Sequence, residues 1–212
     1  TPVTFGALAG RHIKEFFDKE AGKVIYEELD NLQYKLVSQE RHGHYGHVFK
    51  SEDPNMPDDS ESYAAQFNQA TDRDGCKSFN FQFENVVVPL LKRNFPGLRF
   101  FLKPNIIRIN RDCYFRAHND SYAGQVGYTF FFGPGWKWDY GGILTFVTKD
   151  GACPIFPENN SFLIRDEQAR PQHFVGPVGP WAKDKYYYLL VGWAASEDPG
   201  DSEVRGTYYD FS

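Results

Sequence analysis

Cysteine is scarce: Cys76, Cys113 and Cys153 are the only three in 212 residues, and they lie far apart. An odd, scattered set makes neither a disulfide framework nor a zinc knuckle, so a reducing compartment is the simpler expectation. Long hydrophobic runs are missing as well. No apolar stretch reaches the ~20 residues needed to span a bilayer, and no secretory signal is visible. A soluble, cytoplasmic protein with no membrane partner is expected, although a chain opening on Thr1 leaves room for a trimmed leader. Basic clusters are lacking too. The 28 Asp and Glu outnumber the 23 Lys and Arg, giving a net charge of −5, so no nucleic-acid partner is expected. There is no internal repeat and no linker. The length suits one domain whose core needs no staples.

What abounds is aromatic: 20 Phe, 13 Tyr and 4 Trp, beside 19 Gly and 13 Pro. That mixture favours strands and turns over a helical bundle. From about residue 98, short apolar or alternating runs are separated by Gly, Pro and Asn. They fall at 98–102, 106–109, 114–118, 126–132, 143–147, 161–164, 173–178 and 186–193, and such a series predicts a sandwich or jelly roll. The first half reads as helical. A helix is expected over 9–22, with Ile13, Phe16 and Phe17 on one face and Gly22 as C-cap. Helix, or helix then strand, follows over 24–38. A helical pair is expected near 61–70 and 79–95, the latter with Phe83, Val86, Val87, Leu90 and Leu91 at helical spacing. Residues 40–60, which include His42, His44 and His47, read as a mobile loop at the mouth of a site; no Cys or Glu at ligand spacing makes them a metal site. The class expected is α+β, mainly β: a single domain over 1–212, with helical support in 1–97, a β core in 98–195 and a tail in 196–212.

Within that core, Tyr114-Phe-Arg-Ala-His-Asn-Asp120 sets His118 and Asp120 two residues apart. On a strand such residues share one side. His173 opens another run 55 residues later. Two His and one carboxylate on one face leave three positions open on an octahedral Fe(II), as an oxygenase needs. A His-X-Asp triplet alone is a weak signal, and its flanks give it weight.

Those flanks are Tyr114 to Asp120, Val126-Gly-Tyr-Thr-Phe-Phe-Phe-Gly-Pro-Gly-Trp136, Trp138-Asp-Tyr-Gly-Gly-Ile-Leu-Thr-Phe146, Asn160-Ser-Phe-Leu-Ile164, His173 to Val178 and Val191-Gly-Trp193. In this order they resemble the prolyl-hydroxylase-like branch of the 2-oxoglutarate/Fe(II) dioxygenases, over roughly residues 98 to 195. The resemblance implies a double-stranded β-helix (a jelly-roll, cupin-like barrel) with N-terminal buttressing helices. It implies Fe(II) held by His118, Asp120 and His173, with 2-oxoglutarate and O2 as co-substrates, succinate and CO2 as products, and L-ascorbic acid as an associated reductant. Asp120 excludes the halogenase variant, in which a small residue replaces the carboxylate. The family holds the distal carboxylate of 2-oxoglutarate with a base on the last strand, and that position falls on Tyr187. Lys185, on the same strand face, is the preferred candidate over Lys183. Phe131 occupies the place of a carboxylate-binding Tyr, which leaves Tyr128 or Thr129 to substitute, and Arg108 is a further candidate. Trp181 and Tyr114 are expected on the substrate side. The substrate implied is a prolyl residue of a protein or peptide. The alternatives are a free amino acid or other small metabolite, and a non-catalytic cupin-like metal-binding module.

Overall fold

Asp18 fixes where the first helix begins. Its carboxylate accepts a hydrogen bond from the Ala21 N–H at 2.9 Å, a cap that stabilises a helix by about 1 kcal/mol. Residues 8–13 are strand and a bend at 14–17 leads into the cap, so of the helix expected over 9–22 only the stretch from Lys19 is helical. A computed structural model describes residues 2–5, 8–41, 63–120, 123–148, 150–169, 172–200 and 206–212. Its elements run β1 (Pro2–Phe5), β2 (Leu8–Ile13), α1 (Lys19–Asp30), β3 (Tyr34–Arg41), β4 (Tyr63–Ala70), α2 (Lys77–Gln82), a π-helical stretch (Phe83–Val87), α3 (Val88–Asn94), β5 (Phe100–Leu102), β6 (Asn105–Ile109), β7 (Tyr114–His118), β8 (Val126–Phe132), β9 (Leu144–Thr148), β10 (Gly151–Ile155), β11 (Ser161–Asp166), β12 (Gln172–Val175), β13 (Tyr187–Ala195) and β14 (Tyr208–Asp210). Among these residues no helix is long and apolar enough to cross a membrane.

Helix then strand is the outcome over 24–38. The stretch 61–70 is strand β4, not helix; Ala65 and Phe67 bury alternately and pack inside the barrel, a period of two. Gly22 lies inside α1, where a Cβ would meet the Asn160 amide at 2.9 Å. That amide latches the chain entering the helix. Phe17 N–H donates to Asn160 Oδ1 at 3.2 Å, and Asn160 Nδ2 donates to the Phe17 carbonyl at 2.7 Å. The helix expected at 79–95 is present as α2, the π stretch and α3. His42, His44 and His47 lie outside the described residues, and β3 extends to Arg41.

Antiparallel pairing runs β2-β11-β8-β13-β6, then through β4, which pairs both β6 and β7, to β7-β12-β9-β10. The sheet thus curls back on itself as a double-stranded β-helix, mainly β with N-terminal helices against it. Register decides which residue faces which layer. On β8, Tyr128, Phe130 and Phe132 pack toward Ile25, Leu29, Phe79 and Phe83 of the helices. Phe130 stacks on Phe162 with ring centroids 4.4 Å apart. The alternate residues Gly127, Thr129 and Phe131 face the interior. Each fully buried Phe is worth roughly 1.5–3 kcal/mol, so this aromatic layer outweighs any single cap in placing the helices.

The inward rows on the helix-backed wall follow from the pairing. Arg165, Gly127 and Trp193 lie side by side, then Leu163, Thr129, Val191 and Asn105, then Ser161, Phe131, Leu189 and Ile107. Tyr187 and Ile109 lie beyond.

Candidate metal centre

β7 and β12 are antiparallel neighbours, and their register sets His118 opposite His173. The ring centroids are 4.4 Å apart. Asp120 sits just past the end of β7, so strand period alone does not place it. Its two oxygens are divided between the imidazoles: Oδ2 lies 3.2 Å from His173 Nε2, and Oδ1 lies 3.8 Å from His118 Nε2. The three ligand atoms fall within 4.8 Å of one another, on residues that are buried or nearly so. For bonds of about 2.1 Å, neighbouring ligands on one ion lie about 3 Å apart, so little closure is needed. His118 Nδ1–H donates to the Arg116 carbonyl at 2.7 Å, which fixes the tautomer and leaves Nε2 free of the proton. Phe146 packs 5.3 Å from the His173 ring.

The electrostatics agree with a metal. Burial, helped by His173, pushes His118 down to about 4, so it is neutral near pH 7. Burial alone would raise Asp120, but the attraction of His118 and His173, with Arg165 beyond them, holds the carboxyl below its ordinary range. Neutral imidazole and ionised carboxylate are the states a divalent ion binds. Two nitrogens and one oxygen on one side match the donor set of non-haem Fe(II) oxygenases.

Beside the triad lies a pair that sequence reasoning missed. Arg165 Nη2 is 3.9 Å from Asp120 Oδ2 and 3.0 Å from Glu167 Oε1. Among the described residues, Arg165 is the one Lys or Arg in the buried class, and Glu167 is fully buried. Burial raises the Glu167 carboxyl, against the pull of Arg165. Gly127 makes room for both. A Cβ there would lie 2.0 Å from Glu167 Oε1 and 2.8 Å from Arg165 Nη2. The available signal was a lone Arg at an inward position of a strand, eight residues before His173.

The expected co-substrate residues are scattered. Lys185 is exposed and precedes β13. Arg108 turns to the helical side, its guanidinium 4.6 Å from the Tyr34 ring centroid and 5.5 Å from that of Tyr186. Tyr128 is on that side too, its hydroxyl donating to the Leu102 and Trp193 carbonyls. Tyr187 does face inward, but its hydroxyl donates to the Gly142 carbonyl at 2.5 Å. Thr129 faces inward with its Oγ1 buried and without a hydrogen-bond partner among the described residues. Tyr114 pairs with Gln66 at the β4 edge. Trp181 is 60% exposed at a corner, where its indole N–H donates to the Asp139 carbonyl. The triad is therefore brought together as expected, and the base expected on the last strand is not.

No family model matches the chain, and no curated protein matches it. Solved structures do. A prolyl-4-hydroxylase of Pseudomonas putida is 14% identical, with 89% of this chain and 92% of that chain covered and a TM-score of 0.57. A prolyl hydroxylase of Trichoplax adhaerens, in complex with a hypoxia inducible factor oxygen degradation domain peptide fragment, is 14% identical, with 87% and 82% covered and a TM-score of 0.60. A non-haem α-ketoglutarate-dependent epimerase from nogalamycin biosynthesis is 10% identical, with 86% and 76% covered and a TM-score of 0.53. The likeness is one of fold: the chain has the double-stranded β-helix of the 2-oxoglutarate/Fe(II) oxygenases. Two of these structures are prolyl hydroxylases, and the likeness to them is likewise one of shape.

Proposed function

We propose that this chain is an Fe(II)- and 2-oxoglutarate-dependent hydroxylase that oxidises an unactivated C–H bond, with a prolyl residue of a protein or peptide as substrate. The observation that carries this reading is the buried His118–Asp120–His173 cluster, at the place in the barrel where two facing strands deliver it. The metal and the 2-oxo acid, when bound, supply O2 activation coupled to decarboxylation of the acid to succinate. The chain's own residues do the rest. His118 and His173 present Nε2, Asp120 supplies the charge, and the Arg116 carbonyl holds the His118 ring in register. Phe146 and the surrounding buried side chains keep bulk water from the site.

A donor set on this fold also serves small molecules, and the likeness to the epimerase favours a second reading, a free amino acid or other small metabolite as substrate. One experiment separates the readings. The purified chain, with Fe(II), ascorbate and 2-oxoglutarate in air, is incubated with proline-containing peptides and with an amino-acid panel. A peptide product one oxygen atom heavier, formed with succinate, is the expected result. A heavier free amino acid moves the substrate to the second reading. No succinate under any substrate leaves a non-catalytic metal-binding module.

A further inference from the structure

The inner wall changes character along the barrel. At the metal end Arg165 Nη2 and Glu167 Oε1 face each other at 3.0 Å, while Arg165 Nε, Glu167 Oε2, Trp193 Nε1 and Thr129 Oγ1 are buried with no hydrogen-bond partner among the described residues. Orphaned polar groups of this kind cost about 1–3 kcal/mol each, and a cluster of them beside a ligand set is where a polar ligand belongs. Farther in, the wall is Ile107, Phe131 and Leu189, with Tyr187 already committed to Gly142. The polar pair there is His12 with Ser161, 3.0 Å apart, and burial holds His12 below its ordinary value, so it offers no cation near pH 7. A free carboxylate end placed against that wall would lose its water without gaining a charge partner.

We infer that Arg165 is the carboxylate anchor of this site: its guanidinium, housed by Gly127, grips the 2-oxo acid at the end that meets the metal. The inference rests on the proposed function, since it needs a metal at the triad. With a divalent ion bound, Asp120, Arg165 and Glu167 leave the pocket net positive, which suits an anion. Planar guanidinium nitrogens match a carboxylate in two contacts. Glu167 competes for the same nitrogens, so it tunes the grip. A consequence is loose selection at the far end of the acid. 2-Oxopentanoate, which carries a methyl in place of the distal carboxylate of 2-oxoglutarate, should bind less than about tenfold more weakly than 2-oxoglutarate, since among the described residues no charged partner on that wall distinguishes them.

The test uses the full chain and reads binding. Mn(II) affinity is measured by electron paramagnetic resonance. Affinity for each acid is measured anaerobically on the Fe(II) protein from the visible charge-transfer band. Arg165→Gln is expected to weaken both acids by the same factor, at least about tenfold beyond any change in Mn(II) affinity, the scale of a lost charge-assisted contact. Acid affinity that falls only in step with Mn(II) affinity would show that Arg165 merely positions Asp120, and would overturn the inference. A tenfold or greater preference for 2-oxoglutarate over 2-oxopentanoate would overturn it as well. Should Arg165→Gln fail to fold, Glu167→Gln carries the test: freeing the guanidinium must tighten acid binding, and unchanged or weaker binding refutes the assignment. A wild-type chain whose Mn(II) uptake is absent, or is unaltered by His173→Ala, refutes the proposed function itself, and the anchor with it.

Discussion

The two ends of the barrel interior are built from the same strands and differ in almost every physical respect. On β8, Gly127 stands beside a buried ion pair, whereas Phe131, four residues on, fills apolar space. On β11, Arg165 comes within 3.9 Å of the Asp120 carboxylate while Ser161 hydrogen-bonds His12. On β13, Trp193 lies in the charged row and Tyr187 closes onto Gly142. The pleat fixes only which residues face inward. The function of each end is set by what those inward positions hold: charge and unsatisfied polar atoms at one end, packed aromatic and aliphatic groups at the other.

Removing a metal ligand should have the largest effect. His173→Ala or Asp120→Ala is expected to lower Mn(II) affinity by more than about 100-fold, beyond the 10–100-fold typical of outer-shell losses, as read by metal titration. At the other end, Phe131→Ala should cost about 3–5 kcal/mol of stability through its cavity, read by denaturant unfolding, yet leave Mn(II) affinity within about threefold, a change of well under 1 kcal/mol. A large loss of metal affinity there would erase the contrast between the two ends.

Acid should discriminate them as well. His118 is depressed in the folded chain to about 4. Between pH 6.5 and 4 the unfolded chain therefore binds a proton that the folded chain refuses, so stability falls as pH falls through that window, by roughly 3 kcal/mol at most. Asp120, also depressed, adds to the loss at still lower pH as its carboxylate is protonated. His118→Gln should flatten the upper part of the metal-free profile, measured by urea unfolding at each pH. The smallest effect is expected outside the barrel. Lys185→Ala should change acid affinity less than about twofold, as surface substitutions generally stay within about 0.5 kcal/mol.

The β core and the triad were legible because hydrophobic alternation and ordered blocks report strands directly: 114–118 and 126–132 coincide with β7 and β8. The N-terminal half was read less well. Ile13, Phe16 and Phe17 imitate a helix face, but the Asp18 cap and the pairing of β2 with β11 decide otherwise. Residues 61–70 are of helix-forming composition, but pairing with β3, β6 and β7 makes Tyr63–Ala70 strand. The acid anchor was sought on the last strand because the resemblance places it there. Arg165 is a partner of Asp120 only once β11 is folded over β7, a relation with no sequence spacing to announce it.

His118, Asp120 and His173 are expected to hold a divalent metal that a 2-oxo acid can join. Adding 2-oxoglutarate to the anaerobic Fe(II)-loaded chain tests this most directly. The expected result is a weak visible charge-transfer band that saturates with the acid and is absent from His173→Ala. No band in the wild-type chain, or the same band in His173→Ala, would contradict it.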